Sequence, residues 1–236
     1  MSTTPNSPQS LGRRLASFTL RLGLFLLIFM AALFLPAGRL DWWQGWLLVG
    51  GFILLVTIFS LWMRRRDPDL VRERTHMAEN VKWWDKAIMG AYTLLLLALM
   101  IVAGLDAGRY QWSAPPAWTQ ALGWLGFLAC FALVWWAQAT NTYAARYVRI
   151  QDDRGHQVVS AGPYHYIRHP MYAAIILLMV CIPLGLGSLW ALLPGGLIAA
   201  LFVLRTALED RTLQEELPGY AEYAAKVRFR LLPGIW

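Results

Sequence analysis

The segment Gly162-Pro163-Tyr164-His165-Tyr166-Ile167-Arg168-His169-Pro170-Met171-Tyr172 sets an Arg-His pair, three tyrosines and two prolines at the mouth of an apolar run. Charged and hydrogen-bonding groups are costly in lipid, so such a cluster at a membrane face usually lines a cavity or a site. Pro170 suits the first turn of a helix, where its missing N–H is no loss. The open N–H groups of a helix start attract a carboxylate or a phosphate. Arg168 adds a planar fork that matches a carboxylate. His169 supplies a donor and an acceptor, and Tyr164, Tyr166 and Tyr172 offer flat faces for a purine. Gly162 allows close approach of backbone to a ligand, and Pro163 fixes the chain direction. The plainer explanation is an interfacial Arg/Tyr belt with a proline that starts a helix.

A second cluster, Arg205, Glu209, Asp210, Glu215 and Glu216, follows the last apolar run. Arg205 and Glu209 are four apart and share a helix face. Either they form a local ion pair on a solvated helix, or both point into a cavity below the last two apolar runs. A carboxylate in that cavity could bind ribose hydroxyls or an amino group.

The elements that must position these groups are membrane helices. The 236 residues are 58% hydrophobic and 15% charged, with 13 Trp, against roughly 25% charged in soluble domains. Apolar runs near 18–35, 43–63, 87–105 and 121–139 are long enough to span. A fifth, 171–183, is short. It breaks at Pro183-Leu184-Gly185-Leu186-Gly187-Ser188 and resumes over 189–204, giving either a short helical hairpin or two ordinary spans. The first run lacks a small-residue cleavage site and is expected to remain as a helix. Lys and Arg set the orientation. Arg13, Arg14 and Arg21, then Arg64 to Lys86, then Arg146 to Arg168, then Arg205 to Arg230 fall on one side, whereas the opposite loops hold Arg39 and Arg109. Both termini and the motif are therefore expected on the cytoplasmic face. The net charge of +7 fits this bias and anionic headgroups, with no need for nucleic acid.

Several smaller readings follow. The fold class is all-α: a polytopic bundle of five to six spans with a cytoplasmic helical tail, forming one domain over 1–236. Residues 1–10, rich in Ser, Thr and Pro, are expected to be disordered. The charged loop turns helical past Pro68. Gln157-Val158-Val159 is a short extended candidate. The tail is read as a helix from Arg205 to Leu217, broken at Pro218-Gly219, then a second short helix around Tyr220 to Val227. Leu204, Leu208 and Leu213 are expected to face the membrane. The pairs Trp42-Trp43, Trp83-Trp84 and Trp135-Trp136 read as interfacial anchors. Cys130 and Cys181 lie in apolar runs and read as core packing, with no metal-type partners.

The run His156-Gln157-Val158-Val159-Ser160-Ala161-Gly162-Pro163-Tyr164, continuing into Arg168-His169-Pro170-Met171-Tyr172, resembles the signature of the isoprenylcysteine carboxyl methyltransferase family. The phospholipid N-methyltransferases share its Arg-His-Pro-x-Tyr core. Glu209-Asp210 is similar to that family's later acidic pair, with Asp where Glu is usual, and Tyr220, Tyr223, Val227, Arg230 and Pro233 are similar to its closing element. The resemblance covers the C-terminal part; the N-terminal spans match only in kind. Where the family often has Gly two residues after the motif's last Tyr, this chain has Ala174.

The resemblance implies S-adenosylmethionine as methyl donor, held by the 141–236 region. Consistently, no glycine-rich G-x-G-x-x-G follows a strand. It implies His156, Val159, Gly162, Pro163, Tyr164, Arg168, His169, Pro170, Tyr172 and Glu209 as cofactor contacts. A lipidic acceptor would enter from the bilayer, with Asn141 and Arg205 at its polar end. A carboxylate acceptor needs no base, whereas an amine or hydroxyl would need one, and Glu209 or His169 is in the right region. Glu209, His169 and Arg205 are thus the catalytic candidates. A sterol-type reductase using a nicotinamide cofactor is the other enzyme reading, and a membrane scaffold or transporter the non-enzyme one. Transport is disfavoured because every candidate lies near one face rather than the midplane.

Overall fold

A computed structural model describes residues 8–75 and 81–236 of the chain. Of the ten residues expected to be disordered, 1–7 lie outside the described residues and 8–10 open the first helix. Among the described residues every regular element is helical: α1 (Pro8–Ala37), α2 (Trp43–Arg66), α3 (Pro68–Thr75), α4 (Trp83–Ala103), α5 (Ala117–Thr140), α6 (Pro170–Leu186), α7 (Leu192–Glu216) and α8 (Tyr220–Lys226). Residues 157–159 belong to no strand or helix.

Four of these helices are long and apolar enough to cross a membrane: Trp43–Arg66, Trp83–Tyr110, Ala117–Thr140 and Leu192–Glu216. The segments Gly23–Ala37 and Pro170–Leu186 are shorter apolar helices. At 1.5 Å per residue, α6 is about 25 Å long, just under a hydrocarbon core of about 30 Å. It turns at Gly187, in the left-handed region, and α7 packs back along it. The tail helix expected from Arg205 is not separate. It is the second half of α7, which runs unbroken from the apolar run into the charged cluster.

The packing order is α1 on α4, α4 on α7, α7 on α6 and α6 on α5. Leu33, Leu99, Met100, Leu186, Ile198 and Phe202 fill the centre. α5 and α6 pack closely: a Cβ on Gly123 would run into the backbone N of Gly185 and within 2.9 Å of the Cys181 carbonyl. Cys130 and Cys181 are free thiols buried beside this seam, as core packing predicts. The tryptophan pairs divide: Trp42 is buried in the core while Trp43 is exposed. In the other two pairs, Trp83 and Trp136 are exposed and Trp84 and Trp135 half-buried, as side chains about 100° apart on a helix allow.

At the end of the bundle away from the motif, α4 loosens into a π-helical turn, Gly104–Tyr110. Such a turn re-aims a side chain, here Asp106. Its carboxylate is fully buried and accepts from Ser113 N (2.7 Å), Ser113 Oγ (2.7 Å), Ser188 Oγ (2.6 Å) and Trp190 N (3.3 Å). One carboxylate therefore pins the α4 end, the following loop and the α6–α7 turn.

Candidate functional site

The motif end is built by three chain segments meeting at the start of α6. Gly162 adopts φ +57°, and a Cβ there would lie 2.7 Å from Thr140 Oγ1. This glycine lets the loop press onto the end of α5. A short 3-10 turn, Gly162–His165, then brings in Tyr164, whose carbonyl accepts from Tyr223 Oη at 2.6 Å. Pro170 occupies the first turn of α6 with His169 as its N-cap, as the sequence predicts. The tail folds back beside the motif: Arg168 N donates to Phe229 O at 3.0 Å and His169 N to Arg230 O at 2.9 Å.

Asp210 ties these segments together. Fully buried, it meets Arg168 Nε and His169 Nε2 at 3.3 Å each. It also accepts from Tyr220 Oη (3.0 Å), Arg230 Nε (2.9 Å) and Gln214 Nε2 (2.8 Å). Burial, reinforced by the Asp210 charge, raises the Tyr220 phenol far above its ordinary value, so Tyr220 stays a proton donor to Asp210.

Beside this knot opens a narrow cleft of about 90 Å³, partly continuous with solvent. Arg168, His169, Pro170 and Tyr172 line it from the motif, Glu209 from α7, and His156, Val159 and Tyr164 from the preceding loop. Asn141, the C-cap of α5, lines it as well. Gly162 and Pro163 lie behind the wall. So does Arg205, which is 3% exposed. Arg205 pairs not with Glu209 one turn on but with Asp85 of α4, Nε to Oδ1 at 2.8 Å. A buried guanidinium requires a buried partner, and Asp85 provides it. Tyr166 is exposed, not a cleft face. Leu213, expected toward lipid, forms part of the cleft wall. Ala174 is packed into the core and shapes no part of the cleft.

The polar groups have defined states. Tyr172 Oη donates a hydrogen bond to Glu209, and the His169 ring stacks on the Tyr172 ring at 5.7 Å. His156 Nδ1 accepts from Gln151 N at 3.4 Å, leaving its proton on Nε2. Burial is the main cause that lowers the His156 pKa from 6.5, so its ring is neutral at pH 7. Arg168 is more than nine-tenths buried. Its Nε faces Asp210 without an aligned hydrogen bond, and its other recorded contact is a long one, Nη2 to Arg228 O at 3.5 Å. A desolvated guanidinium with spare donors beside a helix start suits an anion. Among the described residues no group of three or more His, Cys, Asp or Glu side chains could hold a metal ion.

Sequence reasoning missed Asp210 as the organiser and Asp85 altogether. Asp210 had a signal, being half of the acidic pair. Asp85 had none, since its partner is 120 residues away.

Residues 117–218, from the start of α5 to just past α7, match the phospholipid methyltransferase family, which is related to the isoprenylcysteine carboxyl methyltransferases. The chain is also 28% identical over 144 residues to the cobalt-zinc-cadmium resistance protein CzcN of Cupriavidus metallidurans, covering 56% of this chain and 58% of that protein. The chain thus spans less than two thirds of that relative's length.

Proposed function

We propose, from the phospholipid methyltransferase match, that this chain is a membrane methyltransferase using S-adenosylmethionine and a lipidic acceptor. The observation that carries this reading is the cleft itself. One cavity at a helix start holds a buried guanidinium with spare donors, a half-buried carboxylate and aromatic walls.

These residues fit the cofactor. Arg168 and the first turn of α6 would hold its carboxylate, Glu209 would face its ribose hydroxyls or amino group, and Tyr164, His156 and Val159 would wall its purine. When bound, it supplies a methyl group already activated by a sulfonium. The protein's task is then to align the reactants and exclude water. Asp210 fixes Arg168 and His169 from below, so neither must reorganise on binding. Glu209 holds the Tyr172 proton in a hydrogen bond and can take a proton from an amine or hydroxyl acceptor. A carboxylate acceptor would leave that capacity unused. Asn141 uses its Oδ1 to cap Tyr143 N at 2.9 Å, which leaves its amide N–H groups for the acceptor's polar end. The bilayer would deliver the acceptor laterally to the cytoplasmic mouth.

Calorimetric titration of the purified chain tests the reading. Saturable binding of S-adenosylmethionine is expected, with none for NADPH. Arg168→Ala is expected to weaken binding at least about tenfold, about 1.4 kcal/mol. Saturable NADPH binding without S-adenosylmethionine binding would turn the assignment toward a reductase.

A further inference from the structure

Asp85 lies in the first turn of α4, outside residues 117–218 and outside the cleft lining. Its carboxylate is fully buried. It accepts from Arg205 Nε (2.8 Å), Arg205 Nη2 (3.3 Å) and the backbone N of Val148 (2.8 Å). Arg205 Nη2 in turn donates to Arg146 O at 2.9 Å. The Arg205 guanidinium carbon sits 4.9 Å over the Tyr172 ring, and Tyr172 holds Glu209.

Two parts of the cleft therefore converge on this one ion pair. One is the wall around Val148, fixed through its own N–H and the Arg146 carbonyl. The other is Tyr172, whose ring plane is held by the cation above it and whose hydroxyl meets Glu209. A buried ion pair gives little net stability compared with apolar packing. Its value here lies in direction: a bidentate fork and a carboxylate permit one arrangement of the groups they bind.

We infer that Asp85 is a positioning residue for the cleft, acting through Arg205 on the Val148 wall and on the Tyr172–Glu209 pair. The inference rests on the reading of the cleft as an S-adenosylmethionine site. It predicts that a change on α4, remote from the motif, is felt as cofactor affinity and not only as stability.

The test is S-adenosylmethionine titration by calorimetry, at temperatures well below each variant's Tm. Asp85→Asn keeps the size but removes the charge, and is expected to weaken binding about fivefold or more. Its effect is expected to be less than multiplicative with that of Tyr172→Phe, because both act on the same hydrogen bond. Lys82→Ala is the control. It breaks the exposed 2.6 Å pair with Glu216, which also joins α4 to α7, and is expected to leave affinity unchanged. If Asp85→Asn does not fold, Asp85→Glu and Arg205→Lys take the same measurement. Unchanged affinity in the folded variants, or effects that multiply with Tyr172→Phe, would overturn the positioning role alone. Failure of the unaltered chain to bind S-adenosylmethionine would overturn the underlying reading, and this inference with it.

Discussion

Glu209 and Asp210 are neighbours on one helix with opposite tasks. Successive helical residues point about 100° apart, so Glu209 reaches the cleft while Asp210 turns under it. Glu209→Gln keeps the shape and removes the charge. Transfer of labelled methyl from S-adenosylmethionine to native membrane lipid is expected to fall about 100-fold or more, the scale of a lost acid-base group. Glu216→Gln, which breaks an exposed ion pair with Lys82, is expected to leave the rate alone; equal rates in the two variants would remove Glu209 from the chemistry. That Arg168, His169 and Tyr172 line one cleft was legible because they fall in one contiguous segment. The network below them was not. Asp210 draws partners from the motif, α7, α8 and the tail, and Asp85 reaches Arg205 across 120 residues. Local spacing carries no trace of such pairs. It pointed instead to an Arg205–Glu209 partnership, which burial of Arg205 replaced with one to Asp85.

The α5–α6 seam sets where the motif sits, because α5 ends beneath the loop and α6 begins at Pro170. Gly123 makes the seam close. Gly123→Ala forces a methyl against the Gly185 backbone and is expected to destabilise the chain by about 1–3 kcal/mol, as overpacking does. Gly50→Ala, which meets nothing within 4 Å, is expected to be neutral. Thermal unfolding in one detergent compares the two. Helices of this kind are readable from apolar runs, and the starts of α2 and α6 fall where the sequence puts them. The π-helical turn was not readable, since it depends on Asp106 finding donors from the following loop and from the distant α6–α7 turn. The continuity of α7 was hidden as well. An abrupt change from apolar to charged composition looks like a boundary, although the backbone hydrogen bonds continue through it.

At the scale of the whole molecule, the bundle has one end pinned by Asp106 and another that opens into the cleft. The excess of Lys and Arg at the open end predicts that it faces the cytoplasm. Both native cysteines are buried, so introduced ones can be read without background. Ile235→Cys, at an exposed tail position, is expected to react with an impermeant maleimide from the cytoplasmic side. Leu40→Cys, exposed between α1 and α2, is expected to react from the other. Labelling of both from one face would mean that a run does not cross.

On the proposed function, the unbroken course of α7 would give the lipid a say in the site. Its apolar half is of a length and composition to sit in hydrocarbon, and on the same rod, about 26 Å from its first residue Leu192, sit Glu209 and Asp210. Mismatch between a helix and its bilayer is relieved by tilt or by local thinning. Either would load the knot in which Asp210 holds Arg168 and His169 just before α6. Membrane thickness thus becomes a coordinate of the site. Across bilayers from dimyristoyl to dierucoyl phosphatidylcholine, S-adenosylmethionine affinity is expected to pass through a maximum. A flat response would show that α7 flexes between its two halves.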